Sequence, residues 1–361
     1  MSTQRIYTLP TDQTEWKIHG SSEVVFNWEY DQFRDNLLTL YSKGKQRQWD
    51  SAVRIDWSQD VDPENPMELD DTYLAIYGSP IWDRMNDREK VEVRRHAQAW
   101  QISQFLHGEQ GALICAAKIV ETVPDVDSKF YAATQVMDEA RHVETYARYL
   151  HDKLELAYPV AEPLKLLLID IVSDSRWDFT YLGMQVLIEG LALAAFGLIR
   201  DLAQNPLASA INAYVMQDEA RHVAFGRLAL KEFYPQITQA ERDEREDFVI
   251  QASYLMRDRF RGEQVWQRLG LPEDDCAEYV DNSALMQEFR KMLFTRIVPT
   301  IKDIGLWGEK VRRAYAEMGV IAYADADPSA LSADDERFAE ELDARRHQVA
   351  ETIAAADEVS R

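Results

Sequence analysis

The sequence predicts an all-α protein: a four-helix bundle with additional flanking helices. Three observations lead there. Long stretches with helical periodicity and few breakers begin at Asn86. Strand signals are weak throughout. The string Asp138-Glu139-Ala140-Arg141-His142-Val143 returns unchanged as Asp218-Glu219-Ala220-Arg221-His222-Val223. The interval between the copies exceeds a usual solenoid period, so two copies of a helix pair fit better than a stacked array.

Punctuation sets the elements. Residues 1–80 read as irregular, with turn chemistry at Asp60 to Pro66 and Gly78 to Pro80. Their aromatics (Trp28, Tyr30, Phe33, Tyr41, Trp49, Trp57) suggest packing on a larger body. The first bundle helix is expected over 88–123, stopped by Pro124, and the second over 126–156, stopped by Pro159. The third runs from Pro163 to Gln204 with a break at 173–176, and the fourth over 206–233 before Pro235. Further helices are expected at 239–262, 283–304, 307–318 and 333–359. The chain then divides into an N-terminal segment 1–85 packed on the bundle, a four-helix bundle 86–235, additional helices 236–325, and an acidic C-terminal helix or tail 326–361 that serves as a solvated face or docking surface.

Composition excludes several functions. The chain has 361 residues, 40 Lys plus Arg against 63 Asp plus Glu, and a formal charge of −23. Such a surface does not suit the phosphates of nucleic acid or an anionic membrane. Cys115 and Cys276 are the only cysteines, which excludes a four-cysteine zinc or iron–sulfur site within one chain. No signal-peptide pattern stands at the N-terminus, so the cytoplasm is the expected compartment. The most apolar window, Gln185 to Ile199, is interrupted by Glu189 and reads as a buried helix with a carboxylate in its middle.

That carboxylate is the main clue. Glu189 precedes Glu219 by the same interval that separates Glu109 from Glu139, and aliphatic runs flank both Glu109 and Glu189. Residues i and i+3 share a helix face, so Glu139 projects with His142 and Glu219 with His222. Four carboxylates and two imidazoles would then converge inside one bundle. Buried without partners, four carboxylates would be costly or would protonate. Two divalent cations cancel the charge. A Glu from each of two helices plus Glu-x-x-His from each of the others is the ligand pattern of di-iron and di-manganese carboxylate proteins.

At these residues, over about 95–235, the chain resembles the ferritin-like superfamily and its carboxylate-bridged di-iron oxidoreductases. That group includes bacterial multicomponent monooxygenase large subunits, di-iron epoxidases, acyl-carrier-protein desaturases, arylamine N-oxygenases and ribonucleotide reductase small subunits. The resemblance implies Glu109, Glu139, His142, Glu189, Glu219 and His222 as metal ligands, with Glu139 and Glu219 as bridges. It implies that Asp138 and Asp218 orient the ligand histidine of the opposite half, each paired with Arg141 or Arg221. Tyr146, one turn after His142, stands where the ribonucleotide reductase subunit carries its radical tyrosine and is a candidate catalytic residue. Arylamine N-oxygenases carry a further histidine at the position of Val215, which argues against that branch. The hydroxyl positions of monooxygenases and desaturases are Leu193 and Ala192. Candidate pocket walls are Ile102, Phe105, Leu113, Val136, Val143 and Gln185. His107 and Cys115 read as structural.

The function expected is an O2-activating di-iron oxygenase that hydroxylates, epoxidises or N-oxygenates a small organic substrate in an apolar pocket. The cofactor expected is two iron ions, with a manganese/iron pair as the alternative and O2 as co-substrate. The chain has no flavin, nicotinamide or iron–sulfur motif, so electrons come from a separate reductase or from the substrate. A homodimer is implied by the resemblance. The competing readings are a ligand-binding oxidase or radical-cofactor protein, and a non-catalytic iron-binding protein.

Overall fold

A computed structural model describes residues 15–30 and 34–359. It is helical, without strands among the described residues, and has the ferritin-like bundle expected. The helices longer than five residues are α1 (Asp35–Gln46), α2 (Asp87–Thr122), α3 (Val126–Tyr149), α4 (Glu162–Ser173), α5 (Trp177–Leu202), α6 (Pro206–Phe233) and α7 (Gln239–Asp258). They continue as α8 (Glu263–Leu269), α9 (Glu273–Asn282), α10 (Ala284–Met292), α11 (Ile297–Asp303), α12 (Glu309–Glu317) and α13 (Pro328–Val359).

Local chemistry fixes the bundle helices. A capping box between Asn86 and Glu89 starts α2. The Asp125 carboxylate accepts from the Ser128 amide to start α3, and Asn205 with Pro206 at the first position starts α6. Short loops join α2 to α3 and α5 to α6, which makes each pair antiparallel neighbours. The longer crossover carrying α4 joins the two pairs. The apolar α5 is long enough to cross a membrane, but 83% of its most apolar window is buried within the bundle.

Three expectations need correction. Residues 1–80 are not wholly irregular: Leu37, Leu40 and Gly44 recur at helical spacing and bury one face of α1 against α3 and α6. Tyr41, Trp49 and Trp57 pack on the core, but Trp28 and Tyr30 are exposed, and Phe33 lies outside the described residues. The segment 239–304 breaks into five helices rather than two. Gly262 and Gly270, both with φ near +70°, bracket the short α8 and let the chain reverse. The acidic α13 docks on α6 within this chain. Asp335 pairs with Arg296, Glu336 and Glu340 with Arg47, and Asp343 with Arg54.

One close approach matters for the site. A Cβ on Gly226, one turn beyond His222, would lie 2.5 Å from the Cβ of Gln185 on α5. Gly226→Ala should therefore cost about 1–3 kcal/mol through overpacking. Alanine's better helix propensity returns at most about 1 kcal/mol. A lower denaturant midpoint is the expected result. An unchanged one would show that α5 and α6 can separate freely.

Candidate metal centre

The four bundle helices bring the six predicted side chains to one place. Glu109 comes from α2, Glu139 and His142 from α3, Glu189 from α5, Glu219 and His222 from α6, and all six are buried. Two ligand sets form, Glu109–Glu139–His142–Glu219 and Glu139–Glu189–Glu219–His222, each with one atom per residue and all atoms within 4.8 Å. Glu139 and Glu219 belong to both. Glu189 follows a π-helical stretch, Tyr181–Ile188, which widens the turn and resets the face that α5 presents.

The contacts are those of ligands converging on cations. His142 Nδ1 lies 3.2 Å from Glu109, 3.3 Å from Glu139 and 3.1 Å from Glu219. His222 Nδ1 lies 3.0 Å from Glu139 and 3.5 Å from Glu219, yet makes no well-aligned hydrogen bond. Glu139 Oε2, Glu189 Oε2 and both Glu219 oxygens are buried without hydrogen-bond partners. Buried polar atoms are seldom left so. Burial pushes the Glu109 and Glu189 carboxyls well above the usual carboxylate range, helped by the neighbouring Glu219. Burial acts the same way on Glu139, but His222 and His142 outweigh it and hold that carboxyl low. Burial disfavours the charged His142, but Asp218 and the glutamates raise its pKa well above the ordinary histidine value. Metal-free, the cluster keeps its charge tolerable by holding protons; two divalent cations would replace them. The residues present fit the pair of metals.

Behind the histidines the halves cross over. Asp218 Oδ2 accepts from His142 Nε2 at 3.1 Å, and Asp138 Oδ2 from His222 Nε2 at 3.3 Å. Arg141 bridges both aspartates, at 2.5 and 2.8 Å, and Arg221 donates to Asp218. Such partners fix ring tautomer and orientation. Two residues between α1 and α2 complete this layer; Gln48 has no signal in the sequence, and Trp49 is expected there only to pack on the bundle. Gln48 donates to Asp138 at 2.7 Å, and the Trp49 indole donates to Asp218 at 2.8 Å. Gln135, one turn before Glu139, donates to Glu139 and Glu189 at 3.0 and 2.9 Å. Its spacing from Glu139 was the available signal.

The predicted pocket walls scatter. A cavity of about 20 Å³ lies against Glu109, Glu189 and Glu219, and of the six predicted walls only Phe105 lines it. Ile102 is buried in the core; Leu113, Val136 and Val143 are half-buried on other faces. Gln185 is fully buried but packs on Gly226, because the π-helical stretch shifts its register relative to Glu189. Ile188, Leu191, Ala192 and Phe196 form the apolar wall instead. Tyr146 is buried, donates to Asn212 at 3.2 Å, and packs between Phe105 and Phe196. His107 bonds the Tyr158 carbonyl at 2.8 Å, and Cys115 is core.

Fold and site together define a ferritin-like protein with a buried carboxylate–histidine dinuclear centre. The chain matches the family described as P-aminobenzoate N-oxygenase AurF over residues 31–305, and it belongs to that family of di-iron oxygenases. This corrects the argument from Val215 against the N-oxygenase branch and agrees with N-oxygenation as one of the three expected reactions. Val215, at the position expected for the further histidine, is fully buried on α6, but the match rests on most of the chain, flanking helices included. No curated protein sequence matches. A Synechococcus protein with aldehyde deformylating oxidase activity is similar in structure at 15% identity, TM-score 0.45, over 62% of this chain and 96% of that one. An R2-like ligand-binding oxidase variant with a reconstituted Mn/Fe cofactor is similar at 16% identity, TM-score 0.44, over 78% and 96%.

Proposed function

We propose that this di-iron oxygenase N-oxygenates a small aromatic amine. One iron would be held by Glu109 and His142, the other by Glu189 and His222, with Glu139 and Glu219 shared. The observation that carries this is the pair of four-residue ligand sets with Glu139 and Glu219 common to both, in a chain of the N-oxygenase family. When bound, the two ferrous ions would supply the redox chemistry that splits O2. For a primary amine, one oxygen atom enters the N–H bond to give the hydroxylamine and the other leaves as water. Two electrons and two protons must come from outside the reacting pair. Nothing in the sequence marks a flavin or nicotinamide site, so we assign the electrons to a separate reductase. Both cysteines are buried thiols, in keeping with a reducing, cytoplasmic setting.

The chain's own groups do the rest. Asp218 and Asp138 hold His142 and His222 with Nδ1 toward the centre. Phe105, Leu191 and Phe196 exclude water on the substrate side. No hydroxyl stands at Leu193 or Ala192, so the outside protons reach the centre by water or another side chain.

The test is iron content followed by O2 uptake from the chemically reduced protein, with p-aminobenzoate and aniline as probes. Two irons per chain and amine-dependent uptake with hydroxylamine formation are expected. Two irons with no amine-dependent uptake would reject N-oxygenation, and no iron at all would reject the ligand assignment.

A further inference from the structure

Arg259, just past the end of α7, is 8% exposed. Its Nη1 has no hydrogen-bond partner, and among the described residues no carboxylate pairs with its guanidinium. Burial alone pushes its pKa down to about 10. An arginine buried without a counter-ion is expensive to keep. Its position suggests why it is kept. An outer cleft of about 570 Å³ lies between α2, the start of α4, and the α7–α8 turn. Among the described residues, Arg259 is the one that lines both this cleft and the small cavity against Glu109, Glu189 and Glu219.

We propose that Arg259 is the specificity-determining anchor for a substrate carboxylate, placed where the outer cleft meets the cavity at the metal centre. This rests on the oxygenase reading and adds the substrate's charge and orientation. A guanidinium presents two parallel N–H groups to the two oxygens of a carboxylate. With the carboxylate there, the apolar body of the ligand lies along Phe105, Leu191 and Phe196. Its far end points to the glutamates. A single negative charge suits this place better than a phosphate dianion, because Glu109, Glu189 and Glu219 form the opposite wall. Without ligand the cavity has room for about one water. Admission therefore requires the edge-to-face pair Phe105–Phe196, with centroids 4.7 Å apart, to turn aside.

The experiment is calorimetric titration of iron-loaded wild type, Arg259→Lys and Arg259→Met with benzoate and with its neutral isostere benzamide. Wild type should prefer benzoate by at least about 10-fold, the scale of a charge-assisted hydrogen bond. Arg259→Lys should keep part of that preference and Arg259→Met none, with iron content unchanged. Removing the unpaired charge should leave the melting temperature of ligand-free Arg259→Met equal to or above that of wild type. Equal affinities for benzoate and benzamide in wild type, or an intact preference in Arg259→Met, overturns the proposal. Inorganic phosphate competing as well as benzoate overturns the carboxylate assignment. A benzoate preference without iron would sink the oxygenase reading and leave the anchor standing; two irons without the preference would do the reverse.

Discussion

Replacing Glu139 by alanine is expected to empty the metal centre, not merely one half of it. Glu139 belongs to both ligand sets. Its oxygens lie 3.3 Å from His142 Nδ1 and 3.0 Å from His222 Nδ1, and Gln135 steadies the side chain from one turn away. The substitution removes a ligand from each metal and one of four negative charges that offset the cations. Loss of an outer partner alone costs about 10–100-fold in metal affinity. Loss of a shared ligand should cost more than about 100-fold, and iron per chain should fall from two to near zero. The metal-free variant loses the carboxylate that pairs with His142 and His222 and should melt below metal-free wild type. Elemental analysis with thermal melts in the presence and absence of ferrous iron separates the effects. Wild type should melt higher with iron, by linkage, and the variant should show no shift. A variant that retains two irons would show that Glu139 is not a ligand.

How far this centre is legible in the sequence depends on where its information lies. The duplicated Asp-Glu-x-x-His-type string and the equal Glu-to-Glu intervals encode a two-fold arrangement, so spacing alone places six side chains from four helices together. The helix limits are as legible where caps and prolines mark them: Asn86, Pro124 and Pro206 each mark a bundle-helix limit. Contacts between distant segments are not. Gln48 and Trp49 reach Asp138 and Asp218 from a stretch read as irregular, where the aromatic at Trp49 signals packing but nothing local announces its partner. The pocket walls escape for another reason. Choosing them by strict 3.6-residue periodicity misplaces Gln185, because α5 leaves α-helical geometry over Tyr181–Ile188. It also treats Leu113 and Val143 as facing inward, whereas both are half-buried and neither lines the cavity. Arg259 is one arginine among several near the end of a charged helix. Only its burial and its lack of a partner set it apart.

The second large effect is expected at Asp218, on the layer behind the ligands. Its Oδ2 accepts from the Trp49 indole at 2.8 Å, from Arg141 at 2.8 Å and from His142 Nε2 at 3.1 Å, while Oδ1 accepts from Arg221. Burial opposes its ionisation, but Arg221, His142 and Arg141 hold the carboxyl well below the usual carboxylate range. Asp218→Asn keeps the shape and removes the charge. It also puts an NH2 group among donors, where nothing accepts from it. Arg141 keeps Asp138, but Arg221 keeps the Gln217 carbonyl at 2.8 Å and, of the aspartates, only a 3.7 Å approach to Asp138. Breaking one side of a buried ionic network costs about 3–5 kcal/mol, and freeing a ligand imidazole about 10–100-fold in metal affinity. Denaturant unfolding of the metal-free protein reads the first, and iron titration reads the second. Asp138→Asn is the internal control. It loosens His222 in the same way, but no indole donates to Asp138, only Gln48, Arg141 and His222. Trp49→Phe should then reproduce about 1.5–3 kcal/mol of the Asp218 effect, the worth of a hydrogen bond to a charged group, and leave the Gln48 and His222 bonds to Asp138 in place. If Asp218→Asn and wild type unfold at the same denaturant concentration and bind iron alike, the crossed aspartates do not hold the ligand histidines, and the centre relies on helix packing alone.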